Sequence, residues 1–144
     1  MAIRIDEKSG LFTLETANTM YQMKVDRLGV LLHTYYGKKM AICDCSYRIG
    51  YVNRGFSGNP YDAGRDHTYT LDHLPQEYPS YGSGDYRTAA IKVRFADGTT
   101  ACDLRYKGYE TGKGKYSLPG LPALYDDNGV HSDTLKITLE DTTG

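Results

Sequence analysis

Glu77 and Asp85 stand within one run, Leu71 to Arg87, that reads LDHLPQEYPSYGSGDYR. Two carboxylates flanking a glycosidic bond at a set separation are what glycoside hydrolysis requires, and this pair is a candidate for that role. A second reading competes. An irregular run carries many backbone N–H groups that need acceptors, so the two carboxylates either accept hydrogen bonds from loop amides or pair with Arg65 or Arg87. The second reading is preferred on those grounds. The histidines are His33, His67, His73 and His131. His67 and His73 directly follow aspartates, and His131 precedes Ser132-Asp133, but neighbours along a strand face opposite ways, so adjacency does not make a pair. His33 lies in an apolar stretch and reads as a core or interface residue. The sequence contains no G-x-S-x-G, H-E-x-x-H, phosphate-loop or dinucleotide fingerprint.

The element that positions Glu77 and Asp85 is itself unusual. Its two prolines, two glycines and three tyrosines exclude a helix interior and make a poor central strand. The run is expected to be an ordered surface loop with fixed turns, of the kind that carries function. Upstream, Asn53 to Asp66 (NRGFSGNPYDAGRD) reads as a loop or a loop with short edge strands. A short strand at His67–Leu71 is the one expected interruption.

Around this irregular middle the pattern is β. Ala2–Ile5 reads as a first strand, and Leu11–Glu15 forms a hairpin into Thr19–Val25, where Met20, Gln22 and Lys24 alternate with Tyr21, Met23 and Val25. Asp26 to Gly29 is a turn. Val30–Tyr36 is apolar enough to be covered on both faces, and Tyr36 to Lys39 breaks it. Ala89–Ala96 and Thr99–Tyr109 are expected to pair through Asp97-Gly98, a strong hairpin signal, with Thr100, Cys102, Leu104 and Tyr106 on one face. Glu110–Lys115 reads as a flexible turn, Leu118 to Leu124 as extended, and Asp126 to Gly129 as a turn. Thr134–Glu140 is a last strand with Leu135, Ile137 and Leu139 on one face. The expected fold is an all-β antiparallel sandwich in a single domain spanning residues 1–144. The chain stops soon after that strand, like a cut edge.

Composition narrows the function classes. A formal net charge of −1 gives no broad attraction to nucleic acid or anionic membrane, and neither is expected as a partner. No stretch approaches the ~20 apolar residues that span a bilayer. The N-terminus lacks an apolar signal segment, so a cytoplasmic location is expected. Cys43, Cys45 and Cys102 are too few and odd in number for a disulfide framework, and Cys43-Asp44-Cys45 is too tight for the usual zinc spacing. They read as ordinary packing thiols, and no cofactor or metal is expected. Tyrosine supplies 14 residues against 3 phenylalanines and no tryptophan. Such rings suit sheet faces and subunit contacts better than sugar stacking.

The run Leu71 to Gly82 followed by Gly84-Asp85-Tyr86-Arg87 resembles a signature near the N-terminus of bacterial α-galactosidases of glycoside hydrolase family 36. The likeness extends upstream through Asn53 to Pro60, to Leu28-Gly29 and to Tyr36 to Lys39. Downstream it takes in Leu118 to Pro122 and the Leu135–Glu140 strand. It covers nearly the whole chain. It implies a β-supersandwich that precedes a catalytic (β/α)₈ barrel and a C-terminal β domain. It also implies hydrolysis of terminal α-galactosyl groups of melibiose and raffinose with retention, through two aspartates of the barrel. On that footing no catalytic residue lies in this chain, which is expected to be inactive alone. Its partners would be the barrel and C-terminal domain, further copies in a homo-oligomer, and α-galactoside sugars.

In tetrameric relatives a loop of this domain reaches a neighbouring subunit's active-site mouth. The resemblance assigns that contact to the loop around Asn53 and Arg54, reaching Asp66. Tyr78 and Tyr81, flanked by prolines, read as a stiff patch that suits an interface. Relatives often carry Asp-Arg where this chain has Asn53-Arg54, so the amide brings hydrogen bonding without charge. Two other readings compete: a free-standing carbohydrate-binding module, and an interaction domain with no sugar role.

Overall fold

The computed structural model describes residues 2–55, 58–115, 118–122 and 132–143. Its strands are β1 (Ala2–Asp6), β2 (Leu11–Glu15), β3 (Thr19–Val25), β4 (Leu31–Lys38), β5 (Leu104–Lys113) and β6 (Asp133–Asp141). Two short 3-10 turns, Cys45–Arg48 and Tyr61–Ala63, are the only helical pieces among the described residues. β1 to β4 form an antiparallel sheet in chain order, and β5 pairs with β6 as a second antiparallel sheet. The all-β expectation holds.

Alternation decides which face each residue serves. From β2 and β3, Phe12, Leu14, Tyr21, Met23 and Val25 join Leu31 against Tyr106, Tyr109, Leu135, Ile137 and Leu139 of the second sheet. Phe12 meets Tyr109 edge-on, with ring centroids 5.5 Å apart. A bulge between Tyr106 and Gly108 shifts the register and brings both tyrosines inward despite their odd spacing. On the opposite face of the first sheet, Val30 and Leu32 pack with Ala63, Tyr69, Leu71 and Leu74 of the long middle segment. β4 is therefore covered on both sides, as its apolar run indicates.

Gln22 shows how the middle segment is fixed to that face. Its side chain is fully buried. Nε2 donates to Thr13 Oγ1 (3.2 Å) and to the Cys43 carbonyl (2.9 Å). Oε1 accepts from the Cys45 amide (3.0 Å) and the Thr34 hydroxyl (3.2 Å). All four bonding positions of the amide are thus filled, as a buried amide requires. At the β3–β4 turn, Asp26 Oδ1 accepts from the amides of Leu28 and Val30, both at 2.9 Å. The Leu28 carbonyl accepts from Arg105 Nη1 and the Gly29 carbonyl from the Tyr106 amide, which ties the turn to β5.

Five expectations are corrected. The Asp97-Gly98 turn forms, with the Gly98 amide donating to the Phe95 carbonyl, but residues 89–96 and 99–103 are not strands. β5 begins at Leu104, and its partner is β6, not the preceding segment. The pairing with β6 also carries β5 through Glu110–Lys113, where a turn was expected. Residues 67–71 form turns instead of a strand, because Asp66 folds the chain back by accepting from the amide and hydroxyl of Thr68. β4 continues to Lys38, past the expected break. Leu118 to Leu121 is a turn closed by the Leu121 amide on the Leu118 carbonyl, with Gly120 at φ 78°. Pro119-Gly120 fits the two central positions of a type II turn. The expected Asp126–Gly129 turn and His131 lie outside the described residues.

Candidate functional site

The run from Leu71 to Arg87 folds back along β4. The His33 amide donates to the Pro75 carbonyl (2.7 Å) and the Glu77 amide to the Leu31 carbonyl (2.9 Å), so residues 75–77 lie along the sheet edge. The run then crosses to the second half of the chain. The Ala90 amide bonds the Pro79 carbonyl, the Tyr81 amide bonds the Ile91 carbonyl, and the Cys102 amide bonds the Tyr81 carbonyl. The buried Ser80 hydroxyl donates to the Cys102 carbonyl. Gly82 takes φ 86°, and a Cβ there would lie 2.7 Å from the Ala101 Cα, so both conformation and space call for glycine.

Asp85 closes the loop. Its side chain is 1% exposed. Arg87 reaches it with Nε to Oδ1 (2.9 Å) and Nη2 to Oδ2 (2.7 Å), and Gln76 Nε2 adds a bond to Oδ2 (2.8 Å). The same guanidinium donates to the carbonyls of Leu71 (2.9 Å) and Leu74 (2.7 Å). Burial works to raise the Asp85 carboxyl, but the Arg87 and Gln76 hydrogen bonds outweigh it and hold the group below the usual carboxylate range. Glu77 goes elsewhere. It accepts from the Tyr21 hydroxyl and lies 3.5 Å from His33 Nδ1. Burial, then the Glu77 hydrogen bond, pushes the Tyr21 phenol up. The two carboxylates thus serve separate intrachain partners, and the Asp85–Arg87 pairing is one of those read from the sequence.

The residues assigned to a sugar contact separate into two groups. Asn53 Oδ1 accepts from the Gly55 amide (3.0 Å) and so turns its own loop. The adjacent Arg54 is half exposed and makes one long contact, Nη1 to Asp72 Oδ2 at 3.3 Å. Asp66 is engaged by Thr68 and by Arg27 Nη2 (2.7 Å). The Thr68 hydroxyl and amide, with Arg27, lower its carboxyl. The Arg27 guanidinium in turn lies 4.9 Å above the Tyr69 ring, whose hydroxyl donates to Asp26. No described hydrogen bond or ion pair joins Asp66 to Asn53 or Arg54. Asp72, which the sequence marked only as a neighbour of His73, is the residue that meets Arg54. A separation of 18 positions leaves no periodic signal for that contact.

Tyr78 and Tyr81 are both close to half exposed. Tyr78 lies on an apolar recess of about 510 Å³ between the sheets, lined also by Leu31, Ile91, Leu104, Leu135 and Leu139. Tyr81 carries the Lys92 ammonium 5.4 Å above its ring. Tyr47, Tyr61 and Tyr86 are more exposed still, at 81%, 98% and 84%. The exposed groups of the middle segment thus include several rings and one lightly held guanidinium. Such groups can bind a polyhydroxy ligand or a protein surface.

The comparisons with known proteins agree on one family. Residues 29–144 match the family model described as the glycosyl hydrolase family 36 N-terminal domain. The chain is 52% identical, over 98% of its length, to the bifunctional alpha-galactosidase/sucrose kinase AgaSK of Mediterraneibacter gnavus, of which it spans 15%. The solved galactosidase domain of AgaSK superposes with a TM-score of 0.92 at 51% identity, over 98% of this chain and 19% of that one. A variant of AgaA from Geobacillus stearothermophilus, solved in complex with raffinose, superposes with a TM-score of 0.82 at 40% identity, over 91% of this chain and 18% of that one. The chain thus spans less than a fifth of each of these relatives, and on this agreement of profile, sequence and fold it belongs to glycosyl hydrolase family 36, as its N-terminal domain.

Proposed function

We propose that this domain is the non-catalytic N-terminal part of an α-galactosidase that removes terminal α-galactosyl groups from oligosaccharides such as melibiose and raffinose. The observation that carries this reading is 52% identity along 98% of the chain to a protein named as an alpha-galactosidase, of which the chain spans only 15%. On this reading residues 1–144 form one domain, and the catalytic carboxylates lie on a barrel elsewhere in a longer polypeptide. The engagement of Glu77 and Asp85 with intrachain partners supports that division of labour. The domain supports assembly of a cytoplasmic homo-oligomer, a tetramer in the resemblance, through surfaces that include Tyr78 and Tyr81. The loop holding Asn53 and Arg54, with Asp66 beyond it, is lent to a neighbouring active site.

A chromogenic α-galactoside tests the division. The purified chain should give no turnover above buffer, and an enzyme-like rate would refute the reading. Exposed Tyr47, Tyr61 and Tyr86 favour one second reading, a free-standing carbohydrate-binding module. Calorimetric titration with galactose, melibiose and raffinose separates the two. Millimolar or tighter binding by the chain alone supports the module, and silence supports the scaffold.

A further inference from the structure

Cys43 and Cys45 flank Asp44 where the chain crosses the buried face of the first sheet. Cys43 is exposed, whereas Cys45 is 1% exposed. Their sulfurs lie 3.9 Å apart, with the buried thiol directly behind the exposed one. The backbone at the pair is held rigidly: the Cys43 carbonyl and the Cys45 amide both bond the Gln22 side chain, and Asp44 caps the following 3-10 turn by accepting from the Ser46 amide. Lys24 donates to both Asp44 Oδ2 (2.6 Å) and Ser46 Oγ (2.9 Å), which fixes the turn from the outside. An accessible thiol with a second thiol poised behind it is the arrangement that reversible thiol oxidation uses.

We propose that Cys43 and Cys45 form a peroxide-sensitive dithiol that closes reversibly to a disulfide. The Cys43 sulfur attacks one oxygen of hydrogen peroxide, the O–O bond breaks, and the other oxygen leaves as water, giving a sulfenic acid at Cys43. The Cys45 sulfur then attacks the Cys43 sulfur. The S–S bond forms, the S–O bond breaks, and the hydroxyl leaves with the Cys45 proton as a second water. Two thiols lose two electrons and one peroxide gains them. Cys45 suits the second role. Burial, followed by its contact with Cys43, pushes its thiol up, so it stays protonated and sheltered until the sulfenic acid forms beside it.

Closure must shorten the sulfur separation from 3.9 Å to about 2.05 Å. The Cys43 carbonyl and the Cys45 amide are both tied to Gln22, so any backbone shift on closure strains those two bonds. Closing the bond therefore works against the Gln22 clamp. A disulfide opposed by its surroundings is readily reduced by small thiols. Cys102 provides an internal control: it is 3% exposed and has no second thiol among its described contacts.

The test uses the full chain with all three cysteines. It is treated with a few equivalents of hydrogen peroxide, then unfolded and alkylated with iodoacetamide, and its mass is measured. The expected product is a monomer that carries a single carbamidomethyl group, on Cys102, and is otherwise lighter than the reduced chain by two hydrogens, with Cys43 and Cys45 protected from alkylation and both thiols restored by dithiothreitol. In Cys45→Ser the resolving thiol is gone, and Cys43 should instead gain oxygen. In Cys102→Ser the wild-type closure should persist. The oxidised chain should also melt at a lower temperature than the reduced one. Alkylation of all three cysteines after peroxide would overturn the proposal. So would oxygen addition at Cys43 in the wild type without disulfide, or a disulfide that joins two chains.

Discussion

Replacing Arg87 with methionine keeps the aliphatic stem and removes every side-chain N–H. Four hydrogen bonds go with it: two to Asp85, one to the Leu71 carbonyl and one to the Leu74 carbonyl. The carboxylate stays buried at 1% exposure and keeps only the Gln76 amide and the Arg87 backbone N–H as donors. Breaking a buried ion pair from one side costs about 3–5 kcal/mol. Arg87 is half exposed and Asp85 retains two donors, so that range is discounted by about 1 kcal/mol, to about 2–4 kcal/mol. For a chain of this size that is a fall in Tm of roughly 5–12 °C.

The same variant carries a pH signature. In the parent, the Asp85 carboxyl is depressed, so its contribution is complete above the unfolded value of about 3.9 and is lost only as pH falls through the lower folded value. Without the guanidinium, burial is the larger influence and raises the carboxyl. The folded variant then takes up a proton more readily than the unfolded chain, and it gains stability as pH falls from 7 toward 4. Urea unfolding at pH 7 and pH 5 should show the gap between parent and variant narrowing. A variant within about 1 kcal/mol of the parent at pH 7 would refute the reasoning, since that is the cost of one ordinary hydrogen bond. A gap that widens at pH 5 would refute the electrostatic part.

Gly82→Ala forces a positive φ on an L side chain and places its Cβ 2.7 Å from the Ala101 backbone, for a cost of about 2–4 kcal/mol by denaturant titration. Gly98→Ala, with φ 88° and open space around it, should cost only about 1–2 kcal/mol, which isolates the clash. Tyr69→Phe removes the buried hydroxyl that donates to Asp26, the carboxylate that also holds the β3–β4 turn, and should lower the urea midpoint by the equivalent of about 1–3 kcal/mol. Arg54→Ala breaks one exposed 3.3 Å contact and should change stability by less than about 1 kcal/mol. In a longer polypeptide with α-galactosidase activity, the same change should raise KM for raffinose, and an unchanged KM would remove Arg54 from the proposed sugar contact.

Local pairing was legible in the sequence, and distant pairing was not. The ranges Leu11–Glu15 and Thr19–Val25 are read correctly because strict alternation and a short turn leave one hairpin register. The Ala89–Tyr109 hairpin is misread for a physical reason. Ile91 and Cys102 give their backbone bonds to Tyr81 of the proline-rich run, and β5 takes its partner from the far end of the chain. Asp85 and Arg87 stand two positions apart, so their pairing is within reach of sequence reasoning. Arg27 with Asp66 and Arg54 with Asp72 are not, since only the folded middle segment brings them together. The expectation that tyrosines cover sheet faces fits Tyr21, Tyr106 and Tyr109, but which rings stand exposed was not legible, because ring burial depends on which loop crosses above each residue.

The edge of β4 has a bearing on solubility. An open strand edge invites a second molecule to add its own strand there, the first step toward fibrils. Here residues 75–77 occupy that edge, and the Gln76 amide, which would otherwise offer the next hydrogen bond outward, turns back to the Leu74 carbonyl. Pro75 and Pro79 have no N–H to give. The segment therefore acts as a selvage: it finishes the sheet on that side, and the same prolines that exclude a regular strand keep neighbouring molecules from stitching on.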